Sequence, residues 1–184
     1  MSETEQYYFS IETPTQEMHS FKGDNPRSAC TDLSVWKFDE GFVKVANIEF
    51  KAGTPEKASI EKDLKKLVLE ELPGNWFHTL KNANSQTLNV LSKKFTDSMK
   101  PLWKALHEPI VFSFCILDLG LCISKVFEPT DNPDEYIWNN FFTFDYLVSK
   151  GKLEIRRENG WSVSDLKLQN SIDNGKSIPL FGES

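Results

Sequence analysis

The run from Ile110 to Leu117 constrains the fold most strongly, because its eight residues carry no charge: Ile-Val-Phe-Ser-Phe-Cys-Ile-Leu. β-branched and aromatic residues dominate it, which is typical of a short strand that is covered on both faces. Such a strand needs neighbouring strands for its backbone hydrogen bonds and further layers for its side chains. We therefore expect it to be the central strand of a sheet that packs against helices.

The first fifty residues contain three further β-prone runs. Tyr7 to Ile11 is one, and the next two lie on either side of Asp39-Glu40-Gly41, which predicts a hairpin formed by 33–38 and 42–50. Residues 13–27 contain two prolines and a glycine, and this composition predicts a loop.

Two amphipathic helices are expected in the middle of the chain. Thr54-Pro55 offers a capping hydroxyl and a proline for the first helical position, and Pro73-Gly74 is expected to end that helix. Its apolar positions have helical spacing: Ile60, Leu64, Leu67, Val68 and Leu72. The second helix is expected to begin near Asn84 or Ser85 and to end at Pro101. Its buried stripe is predicted to be Leu88, Leu91, Phe95 and Met99.

Strands are expected again after the central strand. Asp118 to Gly120 predicts a turn and Leu121 to Phe127 a strand. A late hairpin is predicted around Asn159-Gly160, with 153–155 before it and 161–163 after it, because this pair tolerates positive φ in a tight turn. The aromatic segment 136–148 is compatible with either a strand or a helix.

Strands, then helices, then strands predict an α+β fold in which a largely antiparallel sheet packs against two or three helices. The chain has 184 residues, a length that suits one domain with one core. We expect residues 1–184 to form a single domain, with a polar tail at 170–184.

Charge and cysteine content exclude several classes of function. The net charge is −6, and nucleic-acid binding needs a positive surface. No apolar run approaches the roughly 18 residues that a membrane-spanning helix needs, and the amino terminus lacks the apolar segment of a signal peptide. Three cysteines without CxxC spacing argue against a disulfide framework or a cysteine-rich zinc site, so we expect free, buried thiols in a reducing cytoplasm.

Common catalytic signatures are missing from the sequence: glycine-rich phosphate loops, GxSxG, HExxH and EF-hand patterns. We therefore predict no catalytic residue, metal or cofactor. A His-Cys metal site is conceivable, but its residues do not have the spacing of known ligand pairs, and the histidines are expected to be partly exposed packing residues. The residues considered are His78, His107, Cys115 and Cys122.

One carboxylate pattern resembles that of a class of metal-dependent nucleases. Asp134 is followed after nineteen residues by Glu154-Ile155-Arg156, whereas those nucleases place a glutamate and a lysine two residues apart. Arginine cannot act as a base, because it does not deprotonate in proteins. This departure weakens the match, so a hydrolase or nuclease that uses Asp134, Glu154 and Arg156 is the alternative hypothesis and not the leading one.

The segment from Glu128 to Asp145 contains carboxylates and aromatic rings but no lysine or arginine. Such a segment can be a solvated loop, a set of metal-binding or catalytic carboxylates, or an acidic surface for a basic protein partner. A partner surface would use both features, since complementary charge speeds association and aromatic anchors contribute much of the affinity. The predicted partner-binding residues are Glu128, Asp131, Asp134, Glu135, Tyr136, Trp138 and Asp145.

Three segments resemble those of bacterial immunity proteins that are encoded beside polymorphic or contact-delivered toxins: Tyr7-Tyr8-Phe9, Leu91 to Phe95, and Pro109 to Leu117. The resemblance implies a small acidic cytoplasmic protein that binds a toxin and occludes its active site without catalysis. The leading hypothesis is therefore an immunity-type inhibitor of a basic toxin or enzyme domain. A structural or phage-assembly subunit is a third possibility, and the sequence does not predict an oligomeric state.

Overall fold

The structure is a computed structural model that describes residues 6–19, 27–82, 84–129, 146–149, 152–155 and 160–165. Its strands are β1 Tyr7–His19, β2 Arg27–Phe38, β3 Phe42–Ala52, β4 Gly74–Leu80, β5 Ile110–Ile116, β6 Leu121–Phe127, β7 Tyr146–Ser149, β8 Lys152–Ile155 and β9 Ser162–Asp165. Its α-helices are α1 Lys57–Leu69 and α2 Ser85–Met99. Short 3₁₀ turns lie at Trp103–Ala105 and Leu117–Leu119.

In the described part of the chain, seven strands form one sheet in the order β1-β2-β3-β4-β5-β6-β9, while β7 and β8 form a separate pair. The pairs β3-β4 and β4-β5 are parallel and the other neighbours are antiparallel. Each parallel connection contains a helix, and both connections step in the same direction, which puts α1 and α2 on one face of the sheet. The expected α+β fold with a largely antiparallel sheet is confirmed.

The predicted early hairpin is present, since β2 and β3 are antiparallel and Phe38 pairs with Phe42. The loop predicted at 13–27 is wrong at both ends: residues 13–19 belong to β1, and Arg27 begins β2. Pro14 does not end β1, because β1 is an edge strand with one unpaired side, where proline is tolerated. A bulge between Pro14 and Met18 accommodates the irregularity.

The middle strand of the large sheet, β4, was not predicted. Pro73-Gly74 was expected only to end a helix, but Gly74 begins a strand whose residues are alternately buried and half-buried. A side chain at position 74 would be crowded, because an added Cβ would lie 3.2 Å from Ile110 Cγ1. The strand at Ile110–Ile116 is confirmed, but it lies beside the middle of the sheet and not at its centre.

The prediction of a late hairpin between 153–155 and 161–163 is wrong. β8 pairs with β7, and β9 pairs with β6 at the far edge of the large sheet. Gly160 does have a positive φ of 78°, as the predicted turn requires. This local conformation does not determine which strand pairs with β9. The choice follows from Trp161, which is buried with its ring 6.0 Å from that of Phe114 and 5.9 Å from the Lys125 ammonium.

Both helices are present, but α1 is shorter than predicted. It begins at Lys57 and its N-cap is Glu56 without a side-chain capping bond, so Thr54 and Pro55 lie before the helix. It ends at Leu69, before the predicted end at Pro73-Gly74. The predicted start of α2 is confirmed, since the helix begins at Ser85. Asn84 caps it, because its side-chain oxygen accepts a hydrogen bond of 2.8 Å from the Thr87 amide.

The hydrophobic core lies between the helices and β4, β5 and β6. Phe95 of α2 is at its centre, with ring centroids 5.0 Å from Trp76, 5.7 Å from Phe112 and 5.6 Å from Phe114, all in edge-to-face geometry. Such arrangements suit the ring quadrupoles and add to the stabilisation from burial. Within the described residues, neither helix has the length and apolar character required to cross a bilayer.

Candidate functional site

The helix-facing side of the sheet changes character along its width. Over β4, β5 and β6 it is apolar, whereas over β1, β2 and β3 it carries buried polar and charged residues that face the polar side of α1. We call this second region the polar seam. Its charged members are Lys44, Glu49, Lys51, Asp63, Lys66 and Glu70.

Lys66 connects the sheet to α1 within the seam. Its ammonium lies 2.7 Å from the carboxylate of Glu49 on β3 and 2.9 Å from that of Asp63, one helical turn earlier on α1. It also donates a 2.9 Å hydrogen bond to the backbone carbonyl of Cys30 on β2. Asp63 in turn contacts the ammonium of Lys51. The side chains of Glu49, Asp63 and Lys66 are almost fully buried.

Burial shifts the protonation of this group. Desolvation raises the pKa of Glu49 to about 8, since it outweighs the hydrogen bond and the charge of Lys66, which act in the other direction. For Lys66, desolvation acts to lower the pKa, but the hydrogen bond and charge of Glu49 and the charge of Asp63 raise it overall. Lys66 therefore keeps its charge, while Glu49 takes up a proton far more readily than an exposed glutamate.

Glu70, directly after α1, ties the edge strand β1 to the helix. Its two carboxylate oxygens accept hydrogen bonds of 3.0 Å from the backbone amides of Gln16 and Glu17. The ammonium of Lys44, on β3, lies 3.3 Å from the same carboxylate. Charge-assisted bonds of this kind are about twice as strong as neutral ones, so one side chain fixes the position of two strands.

The seam suits a structural role better than a catalytic one. Three lysines face three carboxylates, and most of these side chains are out of contact with solvent. Among the described residues, no group of three or more His, Cys, Asp or Glu side chains could hold a metal ion. The seam therefore sets the position of α1 over β1, β2 and β3.

An open groove lies beside the seam, where the helix-bearing face extends past α1. It has a volume of about 370 Å³ and is lined by Tyr8, Phe9, Ser10, Trp36 and Phe42. The Trp36 Nε1 group donates a 2.7 Å hydrogen bond to Ser10 Oγ, which fixes the indole. The rings of Tyr8 and Phe42 meet edge to face at 5.0 Å. We call this the aromatic groove.

The turn between β2 and β3 borders the aromatic groove and is both acidic and aromatic. Phe38 is 56% exposed and Phe42 is 60% exposed, although their rings contact each other at 5.3 Å. Asp39 and Glu40, between them in sequence, are exposed too. We call residues 38–42 the hairpin tip.

Of the seven residues predicted to bind a partner, one lies among the described residues. Glu128 is exposed and directly follows β6, while the other six lie outside the described residues: Asp131, Asp134, Glu135, Tyr136, Trp138 and Asp145. Of the alternative nuclease residues, Glu154 lies on β8 in the separate strand pair, and Asp134 and Arg156 are outside the described residues. Their predicted proximity stays a prediction.

His78 and Cys30 differ from the predictions made for them. His78 is fully buried on β4 rather than partly exposed, with Nε2 2.7 Å from the Gly53 carbonyl and Nδ1 accepting a 3.4 Å hydrogen bond from Trp76 Nε1. Desolvation lowers the pKa of His78, so it is a neutral core residue. Cys30 is exposed, although a buried thiol was expected, while Cys115 is buried.

The aromatic groove and the hairpin tip were missed because most aromatic residues were assigned to the core. The signal was present: Phe38 and Phe42 flank two acidic residues in a predicted turn, and residues at a hairpin turn are usually exposed.

Comparison of the chain with protein-family models, curated proteins and solved structures gives no match.

Proposed function

We propose that this chain is a non-enzymatic binding protein of the immunity type, which acts in the cytoplasm and occludes a basic toxin or enzyme domain. The observation that supports it best is the hairpin tip, where Phe38 and Phe42 are exposed on either side of Asp39 and Glu40. Large exposed rings serve as binding anchors in protein interfaces, and neighbouring carboxylates attract a basic partner.

Rigidity makes this surface suitable for recognition. Phe42 touches both Tyr8 and Phe38, and the adjoining Trp36 is held by its hydrogen bond to Ser10. The polar seam fixes the strands beneath these rings. A preorganised surface loses little conformational entropy when it binds, which favours affinity.

The hairpin tip has the same chemistry as the segment 128–145, which the sequence favoured as the partner surface. Glu128 begins that segment and is exposed. The two regions therefore give two alternative contact surfaces for one proposed function, and they can be tested separately.

The decisive experiment uses the toxin domain that an immunity protein would have encoded beside it in the source genome. We expect the chain to bind this domain and to restore growth when both are co-expressed. Reversing two charges, Asp39→Lys with Glu40→Lys, should weaken binding at least tenfold and abolish the growth rescue. The matched control reverses two exposed carboxylates elsewhere, Asp97→Lys with Asp118→Lys, and should retain both.

The second surface is tested in parallel with Asp134→Lys and Glu135→Lys. A loss of binding in this variant alone would move the contact to the segment 128–145 and leave the proposed function intact. Failure of the unaltered chain to bind the toxin domain or to protect cells from it would contradict the proposed function itself.

A further inference from the structure

Cys115 and Cys122 form a close cross-strand thiol pair. They are direct partners in the antiparallel register of β5 and β6, and the Cys115 thiol donates to Cys122 Sγ across 3.3 Å. Both side chains project from the sheet face opposite the helices, beside the hydrogen-bonded hydroxyls of Ser113 and Ser124. This feature is independent of the proposed function and of the hairpin tip.

The backbone already meets the requirement for a bond between the two sulfurs. Directly opposed residues of antiparallel strands have Cα atoms about 4.5–5.5 Å apart, within the roughly 4.4–6.8 Å that disulfides span. A small rotation of the two side chains is then sufficient to close the remaining gap between the sulfur atoms. The third cysteine, Cys30, lies on β2, at a distance of several strands along the sheet.

The two thiols differ in their access to solvent, and therefore in which of them reacts first with an oxidant. Cys122 is partly accessible, whereas Cys115 is buried. Burial, together with the hydrogen bond to Cys122 and the charge of Cys122, raises the pKa of Cys115 to about 12. Cys122 is therefore the sulfur that meets an oxidant first, since thiolate character and exposure govern this reaction.

We propose that Cys115 and Cys122 are a redox-reactive pair that peroxide converts into a reversible disulfide between β5 and β6. The Cys122 thiolate attacks one peroxide oxygen, the O–O bond breaks, and Cys122 becomes a sulfenic acid while hydroxide leaves and takes up a proton as water. Cys115 then attacks the sulfenic sulfur, and its proton leaves with the hydroxyl group as a second water. Two thiols are oxidised and one peroxide is reduced to two waters.

The test uses the full chain with Cys30→Ser, so that the pair contains the remaining thiols. After hydrogen peroxide treatment under native conditions, we expect a mass about 2 Da lower, because two hydrogens leave, and no titratable thiol. Dithiothreitol should restore both. In the same background, Cys115→Ser should leave a sulfenic acid on Cys122 that dimedone captures, and Cys122→Ser should leave Cys115 reduced.

Three outcomes would overturn the proposal. The first is persistence of both thiols under conditions that oxidise the exposed Cys30 of the wild-type chain. The second is a gain of oxygen on Cys122 without loss of two hydrogens while Cys115 is present. The third is closure of the disulfide only after unfolding in urea. Circular dichroism of each variant confirms that the fold is retained, which excludes misfolding as the cause of a negative result.

Discussion

Replacing Glu70 with glutamine should destabilise the protein strongly, although the substitution exchanges only one oxygen for an NH₂ group. Both carboxylate oxygens are acceptors, toward the amides of Gln16 and Glu17, and the same group pairs with the ammonium of Lys44. In the variant one oxygen becomes an NH₂ group. A donor then faces a donor, and a buried lysine loses its charge partner.

The magnitude follows from these two losses. Removing one partner of a buried ion pair costs about 3–5 kcal/mol, and a buried donor without an acceptor costs about 1–3 kcal/mol. The two effects share the same atoms and do not add, so we expect the free energy of unfolding to fall by about 3–5 kcal/mol. The control is Glu71→Gln, which changes an exposed neighbour and should alter stability by less than about 0.5 kcal/mol.

Urea denaturation followed by tryptophan fluorescence measures both variants. Lys44→Met added to Glu70→Gln should recover part of the loss, because it removes the unpaired buried cation. Hydrogen exchange should quicken at the Gln16 and Glu17 amides more than elsewhere in β1. If Glu70→Gln is as stable as Glu71→Gln, or if Lys44→Met brings no recovery, the assignment of Glu70 as the link between β1 and α1 is wrong.

Three other predictions concern stability. Since the pKa of Glu49 is raised from 4.5 to about 8, the folded state holds a proton that the unfolded state has lost between these values, so stability should fall as pH rises from about 5 to 8, and Glu49→Gln should flatten this slope in urea titrations at several pH values. Phe95→Ala should cost about 3–5 kcal/mol in the same assay, against less than about 0.5 kcal/mol for the exposed Lys93→Ala. Asn84→Ala removes the cap of α2 and should cost about 1 kcal/mol, and an unchanged melting temperature would contradict that cap.

The sequence predicted elements whose apolar pattern is strong and local. The α2 stripe and the run Ile110–Ile116 are apolar enough to specify both their secondary structure and their burial. β4 was missed because Asn75, His78 and Thr79 interrupt its apolar pattern, and because a proline and a glycine precede it. Its burial comes from the strands on both sides, which a single segment does not encode.

Strand pairing was harder to predict from the sequence than the strands and helices themselves. The residues 153–155 and 161–163 have good strand and turn propensities, yet β9 pairs with β6 because Trp161 packs against Phe114. Long-range packing of this kind overrides local turn chemistry. The same reason explains the site: Glu49, Lys66 and Glu70 are ordinary charged residues in sequence, and their burial depends on how α1 lies over the sheet.

The irregular course of β1 has a consequence for how molecules of this protein behave at high concentration. A long edge strand offers unpaired amide and carbonyl groups to any other chain, which is a common route to aggregation. Here Glu12 adopts a positive φ of 49°, and the bulge between Pro14 and Met18 follows shortly after it. The two irregularities confine the regular pairing of β1 to Tyr7–Ile11, and so they limit the length of edge that a second molecule can extend.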